Sequence, residues 1–402
     1  MIPLEPINRK IGFSDYLALA GHEPYRILFP LGLALGIFGV SLWPLNQLFI
    51  YPLSPSIAHP RIMIQGFVHA FILGFLGTAF PRLLESKPLT IKETYLLAFL
   101  LLMLSIAHSS GHFIAGDLLF VICLVTFVFC LSRRFVTRKD NPPPNFVLVA
   151  LGILSGLSGG LIELISFGAV LPPPLILFGR RLLFEGFPLL PILGVGSFLL
   201  VRFLKFQREE DFLQSVRSIK QWRQKAFLAF VVGISFIGSF LLESFQFSRI
   251  ASFLKFSLFL GYLVFPLLGE PNAMPQKNTM ALWTRVSILA FPLAYSFLLI
   301  DPLHSLSWLH ILFLLGIGLL ILVVATRVIY GHSGQPEKFS EKLWFLTFAA
   351  LSLSIAAILR IAADFTFQNR STFLSLSSIL WIGACLVWAY FVLPSVRIPD
   401  RD

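Results

Sequence analysis

Runs of about 20 consecutive apolar residues, the length that a hydrocarbon core of about 30 Å demands of a spanning helix, recur along almost the whole chain. About twelve of them fit into its 402 residues. In lipid the backbone must satisfy its hydrogen bonds within one segment or around a closed barrel. The runs are continuous rather than alternating, so helices are expected and a barrel is not. The expected fold is an all-α polytopic transmembrane helical bundle. Composition agrees, with 56% hydrophobic residues, 13% charged residues and 43 Phe, against about 45–50% apolar residues in a soluble domain.

Spans are expected near 27–45, 62–81, 95–110, 115–132, 146–170, 184–201, 226–242, 250–268, 282–300, 308–328, 343–363 and 372–393. They define a membrane domain, 27–393, between an N-terminal segment, 1–26, and a C-terminal tail, 394–402. The proline triplets Pro142–Pro144 and Pro172–Pro174 separate neighbouring spans, because proline inside a helix removes a donor and clashes with the preceding turn. The longest charged loop falls at 202–225. The first 25 residues are polar and mixed and contain no apolar core with a small-residue cleavage site, so the first span is expected to serve as the targeting signal.

Lys and Arg set the orientation. With the N-terminus in the cytoplasm, only Arg61, Arg180, Arg181, Arg249, Lys255, Arg360 and Arg370 of the 31 basic residues fall on the outer side. The positive-inside rule then places both termini in the cytoplasm, in a multi-pass protein of a bacterial inner membrane. The formal charge of +11 is accounted for by topology and by contact with anionic lipids. No basic face with interleaved aromatics points to nucleic acid. The three cysteines, Cys123, Cys130 and Cys385, read as small core residues, and no CxxC or CxxCH occurs. Nucleotide and metalloprotease motifs are absent as well.

Of the eight histidines, His59, His69, His108, His112, His304 and His310 fall toward the outer side, and His22 and His332 toward the cytoplasm. This brings potential ligands of the second, third and tenth spans to one depth. His69 lies about eight residues, roughly 12 Å, inside its span, where an ionisable residue is costly and points to function. It is either a ligand or proton relay, or a bundle histidine bonded to a neighbouring hydroxyl or carbonyl. His59, ten residues earlier, is expected in the preceding loop. His108 and His112 have the i, i+4 spacing of a bidentate metal pair if their helix continues through Gly111, and otherwise are interfacial polar residues. His310, preceded by His304, could face His69 across the bundle and complete a six-coordinate haem, or sit beside Trp308 in an aromatic belt. Arg180 and Arg181 are placed to balance propionates, or else anchor the interface with Glu185. Glu163, Lys255, Arg360 and Asp364 are further charges within spans. Snorkelling suffices for Lys255, and Arg360 with Asp364 reads as a helix-face pair.

Two stretches resemble a known family. Residues 309–335, LHILFLLGIGLLILVVATRVIYGHSGQ, are similar to the histidine, small-residue, T-R, G-H-[ST]-G signature of the NnrS family, bacterial haem- and copper-containing membrane proteins of the nitric oxide response. Residues 59–84, HPRIMIQGFVHAFILGFLGTAFPRLL, resemble its other hallmark. His59, Met63, Gly66, Phe67, Gly74, Phe75, Thr78, Ala79 and Pro81 match the first motif. His310, Thr326, Arg327, Gly331, His332 and Gly334 match the second. Where the family has H-x-H-E-M, this chain has His59, Pro60, Arg61, Ile62 and Met63, so a second histidine and a glutamate are missing.

The resemblance implies a b-type haem; from their depth and spacing, His69 and His310 are then the expected axial ligands, with His59, His108, His112 and His304 as supporting metal-site candidates. Copper is implied too, but without two of its expected ligands. Nitric oxide or iron-nitrosyl species become the expected partners, and no redox partner is indicated. The second span also resembles that of subunit I of the haem-copper oxidases and nitric oxide reductases. The paired His-His and the tenth-helix HxH of those enzymes are absent, which leaves binuclear chemistry without support. A secondary transporter or metal exporter, or an accessory partner of a respiratory complex, are the alternative readings. His332, roughly 30 Å from His310 across the membrane, is expected in a glycine-assisted turn with its imidazole on the backbone.

Overall fold

The computed structural model describes residues 12–204, 219–268 and 277–400. Among them there is no strand, and twelve helices are long and apolar enough to cross a membrane. They are α1 Tyr25–Gln47, α2 Pro55–Leu83, α3 Ile91–Ser109, α4 Phe113–Val136, α5 Phe146–Ser166, α6 Pro173–Leu199, α7 Ile219–Ser244, α8 Ser248–Leu268, α9 Thr279–Ile300, α10 Ser305–Gly331, α11 Trp344–Phe365 and α12 Arg370–Arg397. The chain is a multi-pass membrane protein. A short helix, Phe13–His22, precedes α1.

Local chemistry explains the starts of several helices. Thr90 and Glu93 form a reciprocal capping box at α3, and the Asn278 side chain accepts from the Ala281 amide at α9, each satisfying amides that have no partner in a first turn. Three starts differ from the sequence expectation. α2 begins at Pro55 and α6 at Pro173, because proline fits the first helical turn, where its missing N–H is not needed. His59, Arg180 and Arg181 are therefore helical rather than in flanking loops. α7 begins at Ile219, inside the charged loop expected over 202–225; the stretch 205–218 lies outside the described residues, as do 1–11, 269–276 and 401–402.

Helices adjacent in sequence are adjacent in space, and α12 closes the circuit against α1. Every fourth helix turns inward. In α2, α6 and α10 the most apolar window is 78, 67 and 72% buried, against 50% or less in the other nine. All three central helices widen into a π-helical stretch, at Ile62–Val68, Leu182–Gly186 and Leu312–Gly318; α8 does so at Leu260–Val264. In each central helix the wide turns follow a short α-helical lead of seven to nine residues. The three leads meet at one end of the bundle.

Candidate functional site

A cavity of about 790 Å³ opens where those leads converge, within the roughly 300–1,000 Å³ range of small-molecule and cofactor sites. His59 of α2 and His310 of α10 both line it. Nδ1 of His59 is 2.9 Å from the Gly39 carbonyl of α1, and Nδ1 of His310 is 2.6 Å from the Leu306 carbonyl one turn earlier. A carbonyl can only accept, so each ring carries its proton on Nδ1 and keeps the lone pair on Nε2. A backbone carbonyl accepting at Nδ1 commonly fixes the tautomer of a metal-ligating histidine. Met63, Phe67, Phe313 and Trp381 supply apolar surface to the cavity wall, and the rings of His310 and His59 pack edge-on to Phe313 and Trp43.

Charged residues flank the cavity from three directions. Arg61 donates from Nη2 to Glu163 at 2.9 Å and from Nε to Asp117 at 3.2 Å. Arg180 holds the other oxygen of Glu163 at 3.0 Å. The approach of α5 to α6 that permits this depends on glycine: a Cβ on Gly159 would stand 2.6 Å from the Gly179 carbonyl. Arg181 pairs with Glu185 at 2.6 Å and with Glu243 at 2.7 Å. Lys255 does not snorkel; it is buried between Glu243 and Glu185, at 2.6 and 3.2 Å, and the Tyr295 hydroxyl donates to Glu185 at 3.1 Å. Without these carboxylates an ammonium at that depth would cost at least about 2.5 kcal/mol. Arg360 pairs with Asp364 at 2.9 Å, as their i, i+4 spacing suggested.

The remaining histidines stand elsewhere. His69 is fully buried and does not line the cavity. Its Nδ1 faces the Gln65 carbonyl at 3.1 Å, its Nε2 has no partner, and its ring sits edge-on to Phe120 and Phe187. The structure thus brings His310 to the cavity with His59, not with His69. His108 is also fully buried; its Nε2 donates to Gln65 Oε1 at 2.7 Å, and Gln65 in turn donates to Asp117 at 2.7 Å. A Cβ on Gly116 would fall 2.3 Å from the His108 ring, so glycine there makes room for it. His112 does not share a helix face with His108, because α3 ends at Ser109, Gly111 turns at φ +81°, and His112 is exposed ahead of α4. His304 bonds Asp301 at 2.8 Å and lies against Phe365.

Among the described residues, no three His, Cys, Asp or Glu side chains group as they would around a metal ion. Arg61, where the sequence resemblance leads to the expectation of a second histidine, makes ion pairs. Asp117, Glu243 and Gln65 had not been singled out. A lone acid in an apolar run was the available signal for the first two; Gln65 gave none, since an uncharged amide is common in such a helix.

Fold and cavity together define a polytopic membrane protein with imidazoles presented to an open cavity flanked by ion pairs. The model of the family described as NnrS protein matches residues 21–399, and the chain belongs to that family. Membership makes it a membrane protein related to the nitric oxide response. No curated protein matches the chain.

Proposed function

We propose that the chain is a haem-binding protein of the bacterial inner membrane that acts in the response to nitric oxide and nitrosative stress, with the cofactor in the cavity near the outer leaflet. The observation that carries this reading is the pair His59 and His310, each held by a carbonyl at Nδ1, with Nε2 left as the ligating nitrogen. They are the residues that would hold the iron. A haem bound there would supply a metal centre able to pass an electron, and able to take nitric oxide only where one of the two imidazoles gives way. The protein's own contribution is to fix both tautomers, to line the cavity with apolar side chains that limit water, and to hold Arg61, Arg180 and Arg181 in pairs with carboxylates. His69, His108, His112 and His304 serve the bundle and its rim in this reading.

A transporter of the alternating-access kind would be expected to carry unwound helices in matched halves; α2, α6 and α10 run unbroken through their wide turns. The test is an optical spectrum and metal analysis of the purified protein after haem-replete expression. Wild type is expected to show a Soret band. His59→Ala and His310→Ala should reduce it at least fivefold or shift it, whereas His69→Ala should keep it. A wild type without a Soret band overturns the haem reading, and a spectrum indifferent to both cavity substitutions overturns the ligand assignment.

A further inference from the structure

The ion pairs around the cavity separate into three clusters, and their charges do not match. Arg61 and Arg180 are paired with Asp117 and Glu163. Arg181 and Lys255 are paired with Glu185 and Glu243. Each of these clusters holds two cations and two carboxylates and is neutral. The third, between α11 and α12, differs: Arg360 and Arg370 share the single carboxylate of Asp364, at 2.9 and 3.4 Å. No other described carboxylate reaches either arginine, and Asp364 also accepts from the Ser307 hydroxyl.

Both arginines face the same cavity as the two histidines. The Arg360 side chain is only 9% exposed. A buried guanidinium needs a partner anion; Asp364 supplies it for Arg360, and the half-exposed Arg370 is left with only a longer share of the same carboxylate. An added anion would make either of the first two clusters net negative, whereas at the third it restores neutrality. Arginine's planar fork also suits a carboxylate bound through two hydrogen bonds.

We propose that Arg360 and Arg370 form the anchoring pair for a carboxylate of the molecule that fills the cavity. This rests on the haem reading above, under which the carboxylate is a haem propionate. Arg180 and Arg181, the sequence-based choice for that role, are already neutralised by Glu163, Glu185 and Glu243.

Haem b and its dimethyl ester separate carboxylate recognition from iron ligation. Full-length protein made in a haem-deficient host is titrated with each and followed by absorbance. Wild type is expected to bind haem b at least tenfold tighter than the ester. R360Q/R370Q should lose that preference and bind both like wild type binds the ester, while R360K/R370K, which keeps the charge but not the planar fork, should keep only part of it. If the double glutamine variant fails to fold, R370Q alone, at a half-exposed position, should reduce the preference severalfold. Equal binding of haem b and ester by wild type overturns the proposal, as does a preference that survives in R360Q/R370Q. If wild type binds both equally and nitrite perturbs its spectrum but not that of R360Q/R370Q, the extra charge holds a free oxyanion and the proposal fails in that form. If wild type binds neither, the haem reading fails and this proposal falls with it.

Discussion

His332 shows how a residue's charge state can be fixed by partners distant in sequence. It caps the end of α10, followed by Gly334 at φ +63°, and its Nδ1 accepts from Arg82 Nη1 at 2.6 Å. Its carbonyl accepts from Arg26 at 3.0 Å. The turn was legible in GHSG, since glycine tolerates positive φ; the partner of the imidazole was not, because Arg82 lies 250 positions away. Burial, and then the Arg82 guanidinium, push the His332 pKa down to about 4, against the opposing pull of Glu23. A histidine whose folded pKa lies below its unfolded value of about 6.5 contributes stability at neutral pH. That contribution is lost as pH falls from about 6.5 through 4, because the unfolded chain takes up the proton first. The loss is expected to be at most about 3 kcal/mol. Melting temperatures of wild type and His332→Gln across pH 4–7.5 measure it: wild type should fall more steeply toward acid, and parallel curves would rule His332 out as the cause.

At the level of the helix, wide turns decide which residues meet. The positions of the spans were legible, because length and hydropathy are local properties. The register within α2 and α10 was not. On an unbroken α-helix, His59 and His69 lie roughly 280° apart; with His59 expected in a loop, His69 looked like the ligand. Two features bring His59, rather than His69, to the cavity. Pro55 starts the helix early enough to include His59, and the wide stretch Ile62–Val68 intervenes before His69. Neither wide stretch contains a proline, and Pro60, just ahead of the first, reads from sequence as a helix stop rather than as a wide turn. Such bulges behave as one-residue insertions and often mark functional sites. Deleting Leu315 from the wide stretch of α10 should restore regular α-helix and turn His310 by about 100° relative to the rest of that helix. The expected result is a protein with an unchanged size-exclusion profile whose haem spectrum has lost one histidine ligand. A variant that keeps both the profile and the full wild-type spectrum would show that the wide turns do not aim His310.

For the whole molecule, twelve spans could be counted from the sequence, but the central role of α2, α6 and α10 could not. Lipid tails are as apolar as leucine, so hydropathy does not distinguish a helix facing lipid from one facing other helices: α2 and α6 reach 1.7 and α10 reaches 2.7, while outer α4 reaches 2.6. Buried ion pairs were equally hard to foresee, since their partners come from different helices. They do sharpen the question of orientation. Of the seven basic residues assigned to the outer side, Arg61, Arg181, Lys255 and Arg360 are drawn into ion clusters within the bundle, and Arg180 and Arg370 lie at the cavity with carboxylate partners. Arg249, exposed near the start of α8, is left. The positive-inside rule counts Lys and Arg in the loops flanking the spans, so the contrast between the two ends is greater than the raw count suggests. A fluorescent protein fused after residue 400 should therefore fluoresce, and alkaline phosphatase fused after His112 or Gly168 should be active. Active phosphatase fused after Ser86, in the turn between α2 and α3, would invert the topology and move the cavity to the cytoplasmic side, where an outer-leaflet haem could no longer be maintained.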